Sequence, residues 1–209
     1  MTMNFPHAKR ADIISFLKSL REEIIYTFEK MENGETFQRQ QWDYHHKGGG
    51  EIAVLRGKVF EKAAVNWSGI EGNEFPLDDG KGPFFATGIS LITHMANPHA
   101  PTSHFNIRFI ETNDRWWFGG GYDLTPMDFS YEEDTNYFHQ TAKAALDTFE
   151  KGIYETFSQN AREYFYIPHR KKERGVGGLF FDHYNCGNFE KSKKLWEIVG
   201  HSFLLINKN

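Results

Sequence analysis

The chain has 209 residues, 39% of them hydrophobic and 16% aromatic, including 20 Phe. That length buries one sizeable core, and the composition is that of a globular protein rather than a disordered one. Its 24 Lys plus Arg against 28 Asp plus Glu give a formal net charge of -4, so nothing global points to nucleic acid, and an anionic ligand has to be met by locally concentrated arginines.

Residues 1–12 are polar and lack the apolar core of a signal peptide, and no run reaches transmembrane length. Residues 11–31 are predicted to form an amphipathic helix, with Leu17, Leu20, Ile24, Phe28 and Met31 at helical spacing and Asn33-Gly34 as its stop. Strand-like runs follow at 37–44, 51–54, 59–67, 84–94, 104–111 and 115–119, separated by turn-rich pieces at 71–83 and 96–102. Short connections between consecutive strands favour antiparallel pairing.

Within the run 104–110, polar and apolar residues alternate, the pattern of a half-buried strand. His104, Asn106 and Arg108 then line one face and Phe105, Ile107 and Phe109 the other. A proton-transfer group, an amide and a fixed cation share one platform, which suits acid–base work beside a bound anion. The run 115–126 begins as an aromatic strand and passes through Gly119, Gly120 and Gly121. If it is extended, Trp117, Gly119, Gly121 and Asp123 share a face. Two readings stay open there: missing side chains that let something large and flat approach the backbone, or a glycine bulge near a hairpin.

Ser130 and Glu133 have the spacing of a capping box, opening a helix whose buried stripe is Phe138, Ala142, Ala145, Phe149 and Ile153. A further helix ends near Tyr166 before Pro168, a strand covers 176–182, and a last helix covers 189–205. Strands arrive as a block with helices before and after, so the class is α+β in a single domain, 1–209.

By spacing alone, His94 (sharing a face with Ser90) and His139 (on its helix stripe) read as core histidines bonded through one ring nitrogen. No local His-x-x-x-His pattern supports a metal. Arg108 is either an anion ligand or half of a surface ion pair, Asp123 either a functional carboxylate or a turn cap, and Asp182 reads as structural. The charge run 170–174 reads as a solvated face, with a steering role open to it if the ligand is a polyanion. The two glycine triplets lack the context of phosphate loops, which excludes a nucleotide site. Cys186 is the sole cysteine; no intrachain disulfide is available, and a reducing compartment, simplest as the cytoplasm, is expected.

Several of these residues also lie in longer motifs. They are Gly48-Gly49-Gly50, Val59-Phe60-Glu61-Lys62-Ala63-Ala64-Val65-Asn66, the stretch 88–94 with Asn97-Pro98, and Pro101-Thr102-Ser103-His104-Phe105-Asn106-Ile107-Arg108. The stretch 116–126, Phe138-His139, His169-Arg170 and Arg174-Gly175-Val176-Gly177-Gly178-Leu179-Phe180-Phe181-Asp182 complete the set. Collinear over 36–185, they resemble the oxygen-dependent coproporphyrinogen III oxidases of heme biosynthesis. The resemblance implies a large antiparallel sheet flanked by helices on both faces, normally in a homodimer. It implies oxidative decarboxylation of two propionates of coproporphyrinogen III to vinyl groups, giving protoporphyrinogen IX, with O2 as co-substrate and no organic cofactor. His104 is expected as proton donor, and Ser90 and Asn106-Ile107-Arg108 as substrate contacts. Asp123 is expected to take a proton from the pyrrole N–H groups. In bacterial members the residues matching His94, His139 and His169 are assigned to a divalent metal such as Mn. Family members continue beyond the position of Asn209, so the C-terminal strands of the family fold are expected to be missing. A second reading is therefore a truncated, catalytically impaired homologue that binds porphyrin or a partner, and a third is a metal-dependent hydrolase or oxygenase using the histidines. No nucleic acid and no transmembrane segment are expected.

Overall fold

A computed structural model describes residues 9–77 and 80–206; the readings made on residues 1–8 and on the final three residues lie outside them. Helix α1 (Arg10–Glu32) buries Ile13, Leu17, Leu20, Ile24 and Phe28 and ends at Asn33, which adopts the left-handed conformation (φ 53°) and donates its N–H to the Glu29 carbonyl. Met31, expected on the stripe, is 38% exposed. Glu32 is buried in its place, because its carboxylate accepts the backbone N–H groups of Lys58, Val59 and Phe60 in the turn between two strands.

Seven strands form one antiparallel sheet in sequential order: β1 (Gln38–Asp43), β2 (Gly48–Leu55), β3 (Phe60–Gly72), β4 (Phe84–Met95), β5 (Thr102–Thr112), β6 (Trp116–Thr125) and β7 (Gly178–Tyr184). The aromatic run does not stop at its glycines. β6 continues through them to Thr125, so Asp123 sits within a strand and is no turn cap. Three more helices are described, α2 (Glu132–Asp147), α3 (Ile153–Tyr164) and α4 (Phe189–Ile206). The predicted capping box is not formed: Tyr131 is the N-cap of α2, and its carbonyl takes both the N–H and the hydroxyl of Thr135. The stripe read as one helix is broken at Gly152 (φ 87°), leaving Phe149 in a turn and Ile153 as the first residue of α3.

Strand register aligns two apolar rows on one face: Ile89, Ile107, Gly120 and Phe181, and Leu91, Phe105, Tyr122 and Leu179. The helices pack here. Phe203 of α4 stacks on Phe105 at 4.5 Å, Trp196 lies 5.1 Å from Phe118, and Phe157 of α3 stacks on Phe181 at 4.8 Å. One continuous core joins all four helices to this face, with roughly 1.5–3 kcal/mol gained for each fully buried Leu, Ile or Phe. The α+β antiparallel architecture stands. The second face is reached, among the described residues, by the end of α3, where Tyr164 stacks on Phe180 at 4.0 Å. No helix of the described residues is long and apolar enough to cross a membrane.

Candidate active site

The second face carries the polar positions. Because paired residues project to the same side, the register lays out three transverse rows: Asn66, Ser90, Asn106 and Gly121; Ser68, Gly88, Arg108 and Gly119; Ile92, His104, Asp123 and Gly178. The two faces predicted for the run 104–110, and the shared face of Trp117, Gly119, Gly121 and Asp123, are both realised. An open cavity of 500 Å³ lies over the first two rows, with Asn66, Ser90, Asn106 and Arg108 beside apolar Trp42 and Ile52. Its lining offers apolar surface beside one guanidinium, two amides and a hydroxyl.

Arg108 is held in place before any ligand arrives. Its guanidinium donates to Asn106 Oδ1 at 3.0 Å and to Asp182 Oδ2 at 2.5 Å, and lies 5.8 Å from the Phe180 ring. The ion pair passes directly over Gly119: a Cβ there would stand 2.4 Å from Asp182 Oδ1 and 3.2 Å from Arg108 Nε. Gly121 (φ 154°) has no room either, since its Cβ would meet the Leu179 carbonyl oxygen at 2.1 Å. The space over these two glycines is filled by the chain itself, by an ion pair at one and by the neighbouring strand at the other.

Asp123 is 1% exposed, and both its oxygens face cations or a potential cation. Oδ2 accepts from Nε of Arg174 at 2.6 Å and from its Nη2, while Oδ1 stands 2.9 Å from Nδ1 of His104, without the alignment of a hydrogen bond. The Arg174 guanidinium is stacked on Phe165 at 3.9 Å. Glycines explain how Arg174 gets there. Gly175 (φ 59°) presses against β6 so closely that a Cβ would lie 2.1 Å from the Leu124 carbonyl oxygen. The buried carboxylate thus lies between a guanidinium that hydrogen-bonds it and an imidazole beside its other oxygen. Arg174 thereby occupies one oxygen of the carboxylate expected to act at the pyrrole nitrogens. Arg174 also borders a cavity of 690 Å³, together with Arg170 and Lys172.

Ile107 is fully buried on the helix face, where its Cδ1 would lie 3.4 Å from a Cβ on Gly200 of α4, so its side chain does not join the substrate row. His94 is exposed on β4, and His169 is exposed in the short 3-10 helix Pro168–Arg170. His139, on α2, is half-buried, with Nδ1 2.5 Å from the Tyr154 hydroxyl and Nε2 2.9 Å from the Val176 carbonyl. Burial and the nearby Arg162 push this imidazole below its ordinary pKa, partly offset by the Val176 bond. Among the described residues no three His, Cys, Asp or Glu side chains stand close enough to hold a metal ion. The three histidines therefore do not fit a divalent cation in this arrangement.

Three participants were missed in the sequence. Arg174 was read as part of a solvated run; its signal was the glycine following it at the start of a strand-forming segment. Asp182 was read as structural, yet it is the partner of Arg108. Asn66 stands opposite Ser90, with its Oδ1 buried and without a hydrogen-bond partner.

Comparison with known proteins shows the family of the chain. The family model described as coproporphyrinogen III oxidase matches residues 12–207. An oxygen-dependent coproporphyrinogen-III oxidase of Rickettsia bellii is 41% identical over 208 residues, covering 92% of this chain and 74% of the relative. That of Coxiella burnetii is 41% identical over 209 residues, covering 94% and 67%, and that of Rickettsia conorii is 40% identical over 208 residues, covering 92% and 74%.

Proposed function

Since the chain belongs to the coproporphyrinogen III oxidase family, we propose that it catalyses the oxygen-dependent oxidative decarboxylation of two propionates of coproporphyrinogen III to vinyl groups, giving protoporphyrinogen IX in heme biosynthesis. Each propionate that becomes a vinyl group releases one CO2, one proton and two electrons, and O2 takes the electrons. The protein has to bind carboxylates, accept a proton and keep a reduced, flexible macrocycle in one pose.

The observation that carries this reading is the placement of Ser90, Asn106 and Arg108 beside the His104–Asp123 pair on a single sheet face. Arg108 offers a planar guanidinium to one propionate, a fit Lys does not reproduce. Asn106, whose Oδ1 already accepts from Arg108, keeps its amide N–H groups for the ligand, and Ser90 adds a hydroxyl. His104, 29% exposed and two residues from Asn106 on the same face, has Nδ1 toward Asp123; it moves the proton released in the elimination. Asp123 places a carboxylate oxygen beside Nδ1, where it favours the imidazolium formed when His104 takes the proton, and Arg174 holds the other oxygen. The divalent cation implied by resemblance has no place in these roles. A homodimer and a cytoplasmic address belong to the same proposal, supported by family membership and by the absence of any paired cysteine.

The test is oxygen-dependent formation of protoporphyrinogen by the purified chain, followed by fluorescence after oxidation to the porphyrin, with solution size measured alongside. Turnover that disappears in His104→Ala supports the reading. Tight porphyrinogen binding with no turnover would replace it by the reading of a binding homologue without catalysis.

A further inference from the structure

We infer that His139 is a positioning residue: its imidazole clamps residues 174–178 against β6 and so sets Arg174 on Asp123. The inference deepens the proposed site and departs from the metal-ligand role that resemblance assigns to this histidine.

The argument begins with the ring. A carbonyl oxygen only accepts, so Nε2, 2.9 Å from the Val176 carbonyl, carries a hydrogen. In the neutral ring Nδ1 then has the lone pair, and it lies 2.5 Å from the Tyr154 hydroxyl, which donates to it. Neither nitrogen is left for a cation unless one of these bonds breaks. The two partners come from different elements, Tyr154 from α3 and Val176 from the segment before β7, so the ring ties both to α2.

The segment it holds needs a constraint. Gly175 (φ 59°) and Gly177 (φ 84°) both adopt the left-handed conformation, and glycine is the residue that gains most freedom when released. Val176 between them donates its N–H to the Leu124 carbonyl at 3.0 Å, and Leu124 donates to the Gly177 carbonyl at 3.2 Å. Leu124 is the neighbour of Asp123, and Arg174 is two residues before Val176. His139 thus acts on the Asp123–Arg174 pair through Leu124 on one side and Gly175 on the other, touching neither residue of the pair.

Gln and Leu substitutions separate the clamp from a ligand role. In His139→Gln the amide retains one acceptor and a donor; in His139→Leu both are lost. With the full chain, the clamp predicts that amide exchange across 174–178 quickens about tenfold or more in the Leu variant and less than about threefold in the Gln variant. The kcat for porphyrinogen oxidation should fall about tenfold in the Leu variant with KM little changed, and recover in the Gln variant. Binding of Mn(II), added alone and measured after dialysis, should be the same in all three proteins. If the Leu variant fails to fold, Tyr154→Phe removes one partner and should quicken the same amides by about threefold. The inference is overturned if exchange is unmoved in these variants, or if the parent protein binds one Mn(II) that both Gln and Leu variants lose. Exchange and Mn(II) binding are read without turnover, so absence of oxidase activity would defeat the proposed reaction and leave the clamp to be judged on its own.

Discussion

The two faces of this sheet are built from the same strands, one residue out of step, and they are stabilised in different ways. On the helix face, Phe105, Ile107 and Phe109 are buried in a core that needs no partners beyond good packing. On the other face, His104, Asn106 and Arg108 are each half-exposed and each held by a specific polar neighbour. Packing is cumulative and tolerant of the chemistry of its members; the polar rows depend on single atoms, and a lost partner leaves a charge uncompensated. The fold therefore resides on one face and the chemistry on the other.

Substitutions that hit one face at a time sharpen this division. Phe105→Ala should have the largest effect, about 3–5 kcal/mol off the unfolding free energy, because it opens a cavity beneath Phe203. Chemical denaturation measures it, and a loss under about 1 kcal/mol would mean the helix face is not the seat of stability.

That division was partly legible from residue order. Period-two alternation in 104–110 is a direct physical consequence of the pleat, so the facing of His104, Asn106 and Arg108 could be stated from sequence. So could α1, where Asn33-Gly34 supplied a stop of the kind helices need. The break at Gly152 was not legible, since Phe149 and Ile153 continue the helical period through it. Arg174 was hidden for a different reason: an arginine in a charge run is indistinguishable from a solvated one until the glycines beside it bend the chain onto β6. The pairing of Arg108 with Asp182 joins residues far apart in the chain and follows only from strand register.

Asp123→Asn tests the second face next. It keeps the shape and removes the charge shared by His104 and Arg174, and should lower the rate about a hundredfold, equivalent to about 2.7 kcal/mol. Near-normal turnover would show that the carboxylate only fills space. Arg108→Ala should weaken porphyrinogen binding by about 1–2 kcal/mol, since a propionate has to take over contacts that Asp182 already makes and the pair is partly exposed. Unchanged affinity in a folded variant would remove Arg108 from the substrate site. The smallest effect is expected for Ser90→Ala, within about 0.5 kcal/mol in stability, because the side chain is exposed on the cavity face. A cost of 2 kcal/mol or more there would dissolve the distinction between the faces.

The sequential order of the sheet has a consequence for how the chain acquires its structure. Each strand pairs with the one made just before it, so each strand from β2 to β6 closes a short loop at small entropic cost, and only β7 waits for the helices α2 and α3 that precede it. A sheet of this order can grow strand by strand during synthesis, with Glu32 fastening α1 to the β2–β3 turn early. The distant closure comes last, when Trp196 and His201 of α4 meet Phe16 of α1. Until then the helix face of the growing sheet lacks much of its cover, and that interval is when the nascent protein is most exposed to aggregation.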